Sequence, residues 1–110
     1  MISDEKSKIV NSLIKLAKTS KLDIEQKKKI VEILDNMEII TETQRERFIM
    51  YYGLGVYSKE RKTLIKIATI YGVTVNAVRY SITNVKNKLT RLENEFEVLE
   101  QIVNECEIKN

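Results

Sequence analysis

Proline is absent from this chain, and its 110 residues hold only three glycines. A fold of many strands needs tight turns, and tight turns draw heavily on those two residues. The sequence therefore predicts an all-α protein. Hydrophobic residues make up 43% of it, enough to build a core, and a chain of this length forms one ordinary domain rather than two independent ones.

The apolar pattern divides that domain into helices. Ile9, Val10, Leu13, Ile14, Leu16 and Ala17 recur at helical spacing in a first helix that Ser3 or Asp4 can cap. After the polar break Lys18-Thr-Ser-Lys21, Asp23 caps a second helix carrying Ile30, Val31, Ile33, Leu34 and Met37. Thr41 and Gln44 form a capping box for a third, which Gly53-Leu-Gly55 stops. A polar loop leads to Thr63, the cap of a short fourth helix ending at Gly72, and Thr74 caps a fifth.

From there Val78, Ile82, Val85, Leu89, Leu92, Phe96, Leu99, Val103 and Cys106 alternate at spacings of four and three. Such a heptad seam predicts one continuous helix over 75–107, roughly 50 Å long at ~1.5 Å per residue. A break near Thr90, giving two helices, is the alternative. The seam can be covered by the same helix of a second chain or by residues 1–40. Glu93, Glu95, Glu97, Glu100, Glu105 and Glu107 line it with one sign of charge, whereas Lys15, Lys18, Lys21 and Lys27 to Lys29 offer the complement. Electrostatics thus narrowly favours packing within a monomer over a homodimer.

Histidine is missing and Cys106 is the single cysteine. Histidine catalysis, histidine metal sites, an intrachain disulfide and CxxC chemistry are thereby excluded. Glu42 and Glu46 stand one helical turn apart, but no nucleophile, ligand set or glycine-rich loop accompanies them. We expect no enzyme, no cofactor and no metal. No apolar run reaches the ~18 residues of a membrane span, and the polar N-terminus is unlike a signal peptide. A cytoplasmic location follows, with no membrane partner. Heavy use of isoleucine, lysine and asparagine, residues with AT-rich codons, points to an AT-rich bacterial or phage genome.

The formal net charge of +3 is unevenly spread. Residues 1–40, the N-terminal helical pair, sum to +1; residues 41–92 carry ten basic and three acidic side chains, for +7; residues 93–110, an acidic helical extension, sum to −5. No acidic side chain at all lies between Glu60 and Glu93. A solvated lysine-rich surface usually mixes both signs, so this stretch points to an anionic partner, a nucleic acid.

Within it, Thr63 to Lys88 has the pattern of a helix-turn-helix: Ala68 small enough for a close helix crossing, Gly72 in the turn, Val73 and Val78 buried. Thr41-Glu-Thr-Gln-Arg-Glu-Arg-Phe-Ile-Met-Tyr-Tyr-Gly-Leu-Gly55, Thr63-Leu-Ile-Lys-Ile-Ala68, Tyr71-Gly-Val-Thr-Val-Asn-Ala-Val-Arg79 and Lys88-Leu89 together resemble region four of bacterial RNA polymerase sigma factors. Val78 to Leu89 is also similar to the recognition helix of LuxR-type regulators. The resemblance covers about residues 40–92, half the chain, and implies a helix-turn-helix domain of three to four helices, at residues 41–92, that binds double-stranded DNA at bacterial or phage promoters. Contact with RNA polymerase is left open. At the start of the recognition helix, where sigma factors usually carry Arg-Glu-Arg, this chain has Val75-Asn76-Ala77, and only Arg79 matches. No segment resembles the part of a sigma factor that melts promoter DNA, which implies a sigma-like regulator or one half of a split sigma.

Helical geometry chooses the reading face independently of any family. With Val78, Ile82 and Val85 buried, Asn76, Tyr80, Thr83 and Asn87 fall on the opposite side, flanked by Arg79 and Asn84. We assign base contacts to Asn76, Arg79, Tyr80 and Thr83, since Arg and Asn pair bidentately with guanine and adenine. Phosphate contacts fall to Arg61, Lys62, Thr63, Thr74 and Lys86. The competing reading is a protein-interaction module that binds RNA polymerase or a sigma factor without reading bases, its acidic tail covering the basic face.

Overall fold

The computed structural model describes residues 4–109. They form α1 (Asp4–Lys18), α2 (Ile24–Asp35), α3 (Glu42–Tyr52), α4 (Leu64–Tyr71), α5 (Val75–Leu89) and α6 (Phe96–Lys109), with a 3₁₀ turn at Gly55–Tyr57 and no strand among the described residues. The all-α expectation holds.

Four of these helices start where a side chain can take up their free amides. The Asp23 carboxylate accepts from the Gln26 N–H at 2.8 Å, and Gln26 Oε1 accepts from the Asp23 N–H at 2.9 Å, closing a reciprocal box on α2. Thr41 and Gln44 do the same for α3. Thr63 and Thr74 cap α4 and α5, each hydroxyl accepting an amide at 3.1 Å. Each such cap contributes about 1 kcal/mol. Asp4 is the first helical residue of α1, and Ser3 lies outside the described residues. At the other ends, Gly53 (φ 65°) and Gly72 (φ 66°) take the left-handed conformation that stops α3 and α4.

Packing falls into two halves. α5 lies against α3 and α4, burying Val78, Ile82, Val85 and Leu89 together with Phe48, Ile67 and Ala68. α6 lies against α1, burying Phe96, Leu99, Val103 and Cys106 with Val10, Leu13 and Ala17. α2 joins the halves by touching both α3 and α6. Buried Gln26 sits at that junction, with the Cys106 thiol 3.7 Å from its Oε1.

The heptad seam is thus buried within one chain, but not on one rod. The continuous helix over 75–107 does not form: residues 90–95 break it, and the long C-terminal helix is two shorter ones. Several contacts favour the break. The Thr90 hydroxyl donates back to the Asn87 carbonyl, and Arg91 and Leu92 donate to Lys88 and Leu89 with the tighter i−3 spacing that ends a helix. Lys6 Nζ donates to the Leu92 carbonyl at 2.6 Å and stands 5.1 Å from the Phe96 ring centroid. Folding back lets α1 cover an apolar stripe that a projecting helix would leave in water. The lysines expected to answer the tail's glutamates form no ion pair with them among the described residues; apolar burial and Lys6 hold α6 instead.

Three substitutions test this account by chemical denaturation. Leu99→Ala, fully buried between the terminal helices, should lose about 2–5 kcal/mol. Gly53→Ala should lose more than Gly72→Ala. An added Cβ at Gly53 meets Arg61 Cγ at 2.7 Å, whereas at Gly72 it meets nothing within 4 Å and only the left-handed backbone is penalised, by about 1–2 kcal/mol.

Candidate nucleic-acid interface

Thr74 starts α5, and the stripe from Val78 to Leu89 is the side of the helix turned to the core. The opposite side carries Asn76, Arg79, Tyr80, Thr83 and Asn87, all exposed, with Tyr80 at 72%. At 100° per residue Asn76, Arg79, Tyr80 and Thr83 span an arc of about 100°. Asn76 and Arg79 touch: Arg79 Nη1 donates to Asn76 Oδ1 at 3.2 Å. That bond holds the guanidinium along the helix surface and leaves its remaining donors for an incoming acceptor. Asn84 and Lys86 are half-buried at the edges.

The residues assigned to phosphates divide into two groups. Thr63 and Thr74 are exposed at the first turns of α4 and α5, where the helix dipole is positive, and their hydroxyls are already engaged as caps. Arg61 and Lys62 are held elsewhere. Arg61 Nη1 donates to the Lys18 carbonyl at the end of α1 at 2.8 Å, and its guanidinium lies 5.5 Å from the Tyr51 ring centroid. Lys62 Nζ is 3.6 Å from Glu60 Oε1, and the Lys62 amide donates to the Met50 carbonyl. Asn76 and Arg79 are therefore brought together; Arg61 and Lys62 are tied to α1, α3 and Glu60.

Beneath the exposed face lies a polar cluster that the sequence reading missed. Arg47 of α3 donates through Nη1 to the Ser81 hydroxyl of α5 at 2.8 Å, and its guanidinium stacks 4.6 Å from the Tyr71 ring centroid. The Tyr71 hydroxyl donates to Glu46 Oε1 at 2.6 Å, and Ser81 in turn donates to the Ala77 carbonyl. One arginine thus joins three helices. Its only signal in the sequence is a serine on the otherwise apolar side of α5. Tyr71 is half-buried and hydrogen-bonded rather than a plain core residue, and Val73, expected in the core, is 37% exposed. Its amide donates to the Ala68 carbonyl at 3.0 Å and closes the end of α4, while the side chain points into solvent. On α4, Ile65 (70%) and Ile70 (53%) are also exposed.

Among the described residues, no group of three or more Cys, Asp or Glu gathers to hold a metal ion, and no helix is long and apolar enough to cross a membrane. Compared with known proteins, the chain matches no family model, no curated protein and no solved structure.

Two phenols in this half ionise late. Burial pushes Tyr52 from 10.0 up to about 12, aided by neighbouring Tyr51 and opposed by Arg61. Tyr71 is also pushed up, first by desolvation and then by its bond to Glu46. The unfolded chain releases these protons first, so their contribution is intact below pH 10 and is lost as pH rises through the folded values. Stability measured by urea unfolding should fall from about pH 10.0 to about pH 12, and Tyr52→Phe should flatten that decline.

Proposed function

We propose that this chain is a sequence-specific DNA-binding transcription regulator of sigma region-four-like type, acting at bacterial or phage promoters. In this reading α4, the Gly72–Thr74 turn and α5 form a helix-turn-helix, with α5 in the major groove. One observation carries it: α5 presents Asn76, Arg79, Tyr80 and Thr83 from one exposed face, inside a stretch of chain with no acidic side chain between Glu60 and Glu93. Arg79 reads a guanine and Asn76 an adenine or the Arg79 guanidinium itself; Lys86 and the capped starts of α4 and α5 meet the phosphates. No step of bond making is assigned to any residue.

A second reading is favoured by three exposed apolar side chains, Ile65 and Ile70 on α4 and Val73 in the turn after it. Such side chains fit contact with another protein, and RNA polymerase or a sigma factor is the partner that the resemblance to region four implies. Here α5 would not read bases at all.

Salt-dependent duplex binding separates the two. DNA binding should weaken steeply as salt rises, because Lys and Arg release counterions from the phosphates. Lys86→Ala should weaken all sequences alike. Arg79→Ala should remove about 1–3 kcal/mol on the preferred site and relax the choice of base there. Absence of duplex binding at low salt, or equal losses for both variants on specific and random DNA, favours the interaction module.

A further inference from the structure

A groove runs along the outside of α2, remote in sequence from the α5 face. Its α2 wall follows a helical stripe, Ile24, Lys28, Val31 and Asp35, with Lys27 beside it, and the 3₁₀ turn and α3 form the facing wall. It consists of two hollows, of about 420 and about 180 Å³, that meet at Val31 and Gly55. Gly55 keeps the floor open there: a Cβ at this position would sit 3.7 Å from both Val31 Cγ2 and Ile49 Cγ2. Beside the floor stands Val56, 91% exposed, the most exposed large apolar side chain among the described residues.

The two ends of the groove carry opposite charge. Lys27 and Lys28 line one end, with Lys27 bonded to the Ser58 carbonyl. Asp35, Glu42 and Glu46 line the other, and Arg45, 3.8 Å from Asp35, offsets only part of that charge. An apolar centre between a basic and an acidic end is complementary to itself when turned through a two-fold axis. The same turn places a protruding valine opposite an open floor, twice.

We propose that a second copy of this chain docks on this groove, with the two α2 helices antiparallel about an axis near Val31. Val56 of each copy seats over Val31 and Ile49 of the other, and Lys27 and Lys28 face the partner's Asp35 and Glu42. Burial of Val56 and Ile24, the latter 75% exposed in the single chain, supplies the apolar drive. Charge complementarity sets the antiparallel register. The inference is independent of the DNA reading, since none of Asn76, Arg79, Tyr80 and Thr83 lines the groove.

Analytical ultracentrifugation of the full chain in DNA-free buffer, from micromolar to millimolar concentration, tests it. The expected result is a reversible monomer–dimer equilibrium. Val56→Asp should yield a monomer whose circular dichroism and melting match the wild type, because Val56 contributes little to the single-chain core. Lys28→Glu and Asp35→Lys should each weaken association about tenfold or more, and the double variant should bind itself more tightly than either single one. Wild type that stays monomeric throughout, as it would if the groove serves a foreign helix, overturns the proposal. So does a dimer indifferent to all three substitutions, or a double variant no better than the singles.

Discussion

Arg47 is the contact on which the α5 face depends. Its guanidinium bonds Ser81 on α5 and stacks on Tyr71 at the end of α4, while its own backbone belongs to α3. Apolar stripes alone set how deeply helices pack but tolerate small rotations about their axes. A planar guanidinium with fixed donor directions does not. The arrangement carries a penalty, since Arg47 Nε is buried without a hydrogen-bond partner, a loss of order 1–3 kcal/mol. The stacked Tyr71 ring and the short bond to Ser81 offset it. What is gained is one roll angle for α5, and with it one direction for Asn76, Arg79, Tyr80 and Thr83.

Features set by neighbours in sequence were legible before any coordinates. The capping boxes at Asp23 and Thr41, the threonine caps at Thr63 and Thr74, and the glycine stops at Gly53 and Gly72 all involve groups within a few residues of each other. The exposed set on α5 was legible for the same reason, because helical periodicity relates it to its buried stripe. The break after Leu89 was not. A heptad spacing is equally satisfied by one long rod or by two short helices that each bury a stripe, and the second form draws on cover from α1, including Lys6, eighty-six positions from Leu92 in sequence. Arg47 with Ser81, the outward turn of Val73, and the engagement of Arg61 by Lys18 were hidden likewise. Each needs three-dimensional neighbours that no local pattern records.

Charge and packing divide this chain differently. Basic residues without acidic company run from Arg61 to Arg91, on α4, α5 and the segments flanking them, whereas the acidic helix α6 is folded onto α1 and α2. The tail's glutamates therefore lie mainly on a helix whose main packing partners are α1 and α2. No acidic side chain of residues 61–92 opposes an anion approaching α5.

The pairing of the first and last helices also has a consequence for synthesis. α1 buries Val10, Leu13 and Ala17 against a helix that begins at Phe96. While a ribosome is still adding residues, α3 to α5 can collapse on one another as soon as they emerge, but the apolar side of α1, whose contact with α3 is small, lacks its main cover. Closure must wait until residues as late as Cys106 have left the exit tunnel, because they complete the contact with α2. The nascent chain thus passes through a half-closed species with an unprotected N-terminal stripe, the surface that chaperones recognise.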